Sequence, residues 1–159
     1  KDYFEKVDEK PTDSFLYMLA MNTFTMNTSM NPFENTLSSD KLFNKQAEVI
    51  QEIADKDDCI IVGRCAGYIL RDEPKCVRIY ISADKDFRTK RIMASDHLDE
   101  KEAQKKIHSM DKKRDSYFGY YAGQDWKACH TYDLSISTSA LGIDKAVDLI
   151  CQYIDIKFK

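Results

Sequence analysis

Met110 to Trp126 reads MDKKRDSYFGYYAGQDW, and Lys112, Lys113 and Arg114 form three consecutive cations within it. Charges this close repel one another, so the run must face either water or anions. Asp111 and Asp115 offset part of the repulsion, and Asp111 to Arg114 has the i,i+3 spacing of an intrahelical pair. Two readings stand side by side. One is a solvated helix face with Tyr117, Tyr121 and Trp126 packing beneath it. The other is an arm that carries cations onto a transferring phosphate. Phosphoryl transfer asks little of a protein beyond positioning and charge stabilisation, and lysine and arginine supply both.

Two further groups could do similar work. CIIVGRCAGYIL, Cys59 to Leu70, runs an apolar stretch into Gly63 and then Arg64. In open parallel sheets ligands bind outside the carboxyl ends of strands, and arginine offers a forked donor to phosphate or carboxylate. The same dipeptide is also an ordinary turn whose arginine makes a surface ion pair. Arg88 and Arg91 lie three apart on a predicted helix, where they share a face toward one crevice or are plain surface charge.

Composition narrows the classes. The 159 residues, 43% apolar and 32% charged, fit one ordinary globular domain spanning 1–159. A net charge of -3 argues against general nucleic-acid binding. No apolar run reaches the roughly 20 residues of a membrane helix, and no signal-peptide pattern opens the chain. Five irregularly spaced cysteines imply reduced thiols and a cytoplasmic setting. No CxxC pair occurs and His97, His108 and His130 stand far apart, so no metal site is expected. The five glycines precede Arg, Tyr, Tyr, Gln and Ile, so no Walker A loop is present.

The pattern predicts the elements that would position these groups. Asp2 to Lys10 reads as a short helix stopped by Pro11, Ser14 to Met21 as a second helix, and Asn22 to Ser38 as a long loop. Ser38 or Ser39 caps the next helix, whose Leu42, Phe43, Ala47, Val49, Ile50 and Ile53 make one buried face. Three apolar runs read as strands: Cys59 to Gly63, Val77 to Ser82 and Tyr132 to Thr138. Helices are expected over Asp84 to Ser95, Asp99 to about Tyr121 and Ile143 to Ile156. In the last, Ala146, Val147, Leu149, Ile150 and Ile154 can form an apolar face. This alternation predicts an α/β fold with a parallel sheet.

DEKPTDSFLY, CIIVGRCAGYIL, FRTKRIM, MDKKRDSYF and YDLSISTSALGIDKAVDLI, in this order, resemble the cytidylate kinase-like proteins. The resemblance implies a three-layer P-loop NTPase-like fold, a parallel sheet flanked by helices, with a helical lid over about residues 96–128. It implies a first strand and glycine-rich phosphate loop ahead of Lys1. It further implies ATP with Mg2+, and transfer of the γ-phosphate to a nucleoside monophosphate or similar small acceptor. By the same carry-over Arg114, with Lys112 second, reaches the transferring phosphate, and Arg88 and Arg91 lie near ATP. Arg64 and Cys65 fall where cytidylate kinases have the arginine and aspartate of Gly-Arg-Asp, which hold the acceptor nucleotide. A thiol is a weak donor and poor acceptor, so base recognition is expected to change. The alternative is a non-catalytic nucleotide-binding or interaction module, and a non-nucleotide acceptor is a third option. Oligomeric state is not encoded in any motif.

Overall fold

The computed structural model describes residues 32–159, with side chains from Asp40 onward. The helices expected over Asp2–Lys10 and Ser14–Met21, and the loop over 22–31, lie outside the described residues. The chain divides into two compact units, Lys1–Leu70 and Arg71–Lys159.

In the first unit α1 spans Pro32–Lys56, so the segment 32–38 expected as loop is helix. Proline at the first helical position explains this, because its missing N–H is an orphan there anyway. The buried face of α1 centres on Ile50, wholly buried, and Gln46, 3% exposed, while Ile53 is 39% exposed. That face runs 43, 46, 47, 50, 54, and at about 100° per residue Ile53 falls on its flank. Helix α1 packs against the single turn α2, Ala66–Ile69.

Between them the expected strand over Cys59–Gly63 is absent. Ile60 is 95% exposed and Val62 69%. Among the described residues no strand is hydrogen-bonded to this run. An extended segment without a ladder partner satisfies its backbone with water, and its apolar side chains go with it.

The second unit is a parallel pair with a helical crossover. Strand β1, Ile79–Ser82, pairs with β2, Leu134–Ser137, in the register Ile79 to Leu134 through Ser82 to Ser137. Both strands are shorter than predicted. Helices α3, Lys85–Asp96, and α4, Glu100–Ala122, lie between them in sequence. After β2 come the short α5, Thr138–Leu141, and α6, Ile143–Lys157. Gly142 joins them at φ 80°, ψ 166°, a conformation essentially reserved for glycine. On α6 Ala146 is 3% exposed, whereas Val147, Leu149 and Ile154 are exposed, so the covered part of the predicted face is narrow.

One carboxylate fastens the amino ends of the sheet. Asp133 accepts from the Arg78 backbone N–H at 2.8 Å, its Nε at 3.2 Å and its Nη2 at 3.0 Å. The Asp133 N–H donates to the Arg78 carbonyl at 2.9 Å. Lys157, in the last turn of α6, sits 3.8 Å from Asp133 and donates to the Cys76 carbonyl at 2.9 Å.

Candidate functional site

Helices α3 and α4 form an antiparallel hairpin, and it carries four of the six predicted site residues. His97 ends α3 in the left-handed region, φ 56°. Asp99 then opens α4 with a capping box: the Glu102 N–H donates to Asp99 Oδ1 at 2.8 Å, and Glu102 Oε2 accepts from the Asp99 N–H. Two of the first turn's orphan donors are thereby satisfied. Ala103 and Ile107, one turn apart on α4, are buried, as is Thr89 on α3.

Two ion pairs bridge the hairpin. Near its turn Lys106 Nζ lies 2.5 Å from Asp96 Oδ2. Further along, Arg88 Nη1 and Nη2 donate to Asp111 Oδ2 and Oδ1 at 2.8 and 2.6 Å. The Arg88 side chain is 33% exposed and that of Asp111 19%. This fork-to-carboxylate geometry is the strongest form such a pair takes. Asp111, read from sequence as an intrahelical partner of Arg114, therefore spends both oxygens on the neighbouring helix. Arg88, read as a nucleotide ligand, is gripped by that carboxylate.

Fixing Asp111 fixes the cations around it. At about 100° per residue Arg114 lies about 60° from Asp111, Lys112 about 100° on the other side, and Lys113 about 160° away. Arg114 is thus the cation of the run closest to the face turned toward α3, and Lys113 the furthest. Along the axis Arg114 stands about 4.5 Å beyond Asp111, away from the hairpin turn. Because the helices are antiparallel, that brings it level with Lys85, the first residue of α3. Helix α3 starts three residues after β1 ends at Ser82, so Arg114 lies toward the end of the hairpin that joins β1. Arg91 lies about 4.5 Å the other way, toward the turn. Arg91, Lys112 and Arg114 are exposed.

The carboxyl ends of the strands carry hydroxyls that sequence reasoning did not single out. Ser82 Oγ donates to the Ile136 carbonyl at 3.1 Å, and Thr138 Oγ1 to the Ser82 carbonyl at 3.0 Å. Ser139 Oγ accepts from the Asp84 N–H at 3.0 Å and lies 3.0 Å from Ser137 Oγ. The run STS at the end of the predicted strand Tyr132 to Thr138 was the available signal. The chain's return from α4 is anchored by aromatic contacts: Tyr80 of β1 meets Trp126 edge-on at 5.8 Å and Tyr132 at 5.0 Å. Tyr132 donates its hydroxyl to the Trp126 carbonyl at 2.7 Å. Burial, then the Asp111 charge, pushes the Tyr80 phenol above its ordinary value, while Arg88 pulls it down. Both members of the ion pair therefore lie near β1.

Arg64 and Cys65 belong to the first unit. Gly63, Arg64 and Cys65 take φ 75°, 53° and 56°, three consecutive left-handed residues, of which only glycine adopts that conformation freely. The Ala66 N–H donates to the Gly63 carbonyl at 3.0 Å, closing the turn into α2. Arg64 is half-buried. Cys65 is 5% exposed, and burial pushes its thiol up to about 11, with Arg64 opposing. It is a neutral thiol at pH 7. Cys59, Cys65, Cys76, Cys129 and Cys151 are all free.

The model of the cytidylate kinase-like family matches residues 1–140. Cytidylate kinase of Sulfolobus acidocaldarius is 31% identical over 65% of this chain and 56% of its own length. That of Methanoculleus marisnigri is 27% identical over 70% and 59%, and that of Desulfurococcus amylolyticus 29% over 67% and 57%. The matches thus span under three fifths of these curated relatives. The crystal structure of an uncharacterized protein from Eubacterium ventriosum superposes with a TM-score of 0.70 at 34% identity, over 98% of this chain and 76% of that one. With the family model matched over most of its length, the chain belongs to the cytidylate kinase-like family.

Proposed function

We propose that the protein is an ATP-dependent phosphotransferase acting on a nucleoside monophosphate or similar small acceptor, on a P-loop NTPase-like fold and in the cytoplasm. The observation that supports this is the place of Arg114 on the α3–α4 hairpin. It lies on α4 toward the end of the hairpin that joins β1, and open α/β sheets take ligands outside the carboxyl ends of their strands. A guanidinium there can stabilise charge on a transferring phosphate, with Lys112 as a second, more mobile cation.

The family's ATP and Mg2+ fit this arrangement in a limited way. Among the described residues no group of three His, Cys, Asp or Glu side chains could hold a metal. Mg2+ is commonly held by substrate phosphates, water and one or two carboxylates, so the ion would arrive with the nucleotide, where it neutralises phosphate charge. On the protein side Arg114 and Lys112 would face the transferred phosphate and Arg91 the remoter part of the nucleotide. Arg64, in the first unit, would hold the acceptor's phosphate on the family resemblance alone.

Turnover is tested with the intact protein, ATP and a panel of nucleoside monophosphates, following ADP release. Arg114→Ala is expected to cut kcat by about a hundred-fold while the circular dichroism spectrum is kept. An unchanged rate would remove Arg114 from the mechanism. A second reading, a nucleotide-binding module without turnover, is favoured by Cys65. A buried neutral thiol cannot do the work of the carboxylate found there in cytidylate kinases. ATP binding without ADP release on any acceptor would select it.

A further inference from the structure

We propose that Asp111 is a positioning residue: it grips Arg88 so that the height and roll of α4 deliver Arg114 to the sheet's carboxyl end, and it does so without touching nucleotide. The inference rests on the phosphotransferase reading. Three observations carry it. Both Asp111 oxygens are taken by the two terminal nitrogens of Arg88, so the carboxylate has made its best contact already. The pair bridges α3 and α4, and it stands one helical turn from Arg114 along α4. Finally, the start of α3 is tied to the segment that directly follows β2, since the N–H of its cap Asp84 donates to Ser139 of α5. A grip on α3 at Arg88 is therefore a grip on the sheet. The second bridge, Asp96 with Lys106, lies near the turn, so of these two the Arg88–Asp111 pair is the nearer to Arg114.

The two ideas about an acidic residue beside an anion site differ in sign. If Asp111 were merely a negative charge near phosphate, removing it would strengthen nucleotide binding and leave or raise turnover. As a positioning residue its loss shifts α4 against α3, and misplacement of about 1 Å costs up to about a hundred-fold in rate.

The experiment is a double-mutant cycle on the full chain with Asp111→Asn, Arg88→Gln and the pair combined, measuring kcat, the KM for ATP and circular dichroism. Asp111→Asn is expected to lower kcat about ten-fold or more with the KM for ATP changed less than about three-fold. Arg88→Gln should do the same, and the combined variant should be no worse than either single one, because both act through one contact. Asp111→Glu, which keeps the carboxylate on a longer arm, should recover part of kcat and serves if Asp111→Asn does not fold. The proposal is overturned if kcat is unchanged or higher in Asp111→Asn, if Asp111→Glu is no better than a null, or if the two losses multiply. Absence of turnover in the unaltered chain would instead remove the phosphotransferase reading, and this inference with it.

Discussion

The α3–α4 hairpin and the Gly63–Cys65 turn each present an arginine, and they hold it by opposite means. In the hairpin the backbone is relaxed helix and a carboxylate fixes the guanidinium at 2.6 and 2.8 Å. In the turn the backbone itself is forced, with Arg64 and Cys65 both at positive φ. Left-handed geometry costs a non-glycine residue about 1–2 kcal/mol. The hairpin arginine is therefore placed by a contact that stabilises the fold, and the turn arginine by a conformation that opposes it. Function and stability should move together in the first region and apart in the second.

The largest effect that sharpens this contrast is expected at Asp133, a second carboxylate gripping an arginine. Asp133→Asn should cost about 2 kcal/mol, as hydrogen bonds to a charged group are lost from a partly buried site. The Arg78 hydrogen bonds hold the Asp133 carboxyl below the ordinary carboxylate range, with burial opposing them. Its folded value lies under its unfolded value of about 3.9, so the unfolded chain binds more protons in acid. The stabilisation is complete above about pH 4 and fades as pH falls through the depressed folded value. Urea midpoints of the two proteins should therefore converge toward pH 2. A gap that persists there would mean the carboxylate acts by shape, not charge.

Arg64→Gly tests the opposite prediction. It should raise stability by up to about 1 kcal/mol through relief of left-handed strain, partly offset by unfolded-state freedom, while weakening acceptor use in the turnover assay. A thermal midpoint that falls instead would show that Arg64 contributes contacts outweighing its backbone. The smallest effect concerns the next residue. Cys65, buried and neutral, should react with iodoacetamide at pH 7.5 well after the exposed Cys59, Cys129 and Cys151, followed by mass spectrometry. Equal rates would mean the turn opens readily.

The sequence made the hairpin legible because its signals are local. Helical spacing and Asp99 placed α4 to within a residue at each end, and the cation run was visible at once. The Arg88–Asp111 grip was not, because a competing i,i+3 partner for Asp111 sits on its own helix while Arg88 is 23 residues away. The Gly63–Cys65 turn announced itself only through glycine; nothing in the letters of Arg64 or Cys65 reports a positive φ. The apolar run before it looked like a strand because composition records burial demand but not the presence of a pairing partner. Segment 32–38 reads as loop, although it is helix, because its Asn, Thr and Ser suit turns as well as helix starts.

Lys157 donates to the carbonyl of Cys76, a residue 81 positions earlier. On a ribosome this means that this tie at the amino end of the sheet, unlike the Arg78–Asp133 one, waits until residue 157 has been made. The α3–α4 hairpin, closed by contacts within about two dozen residues, can form while synthesis is still under way. The part of the molecule that bears the Lys112–Arg114 cation run would then be born before the two strands have been locked together.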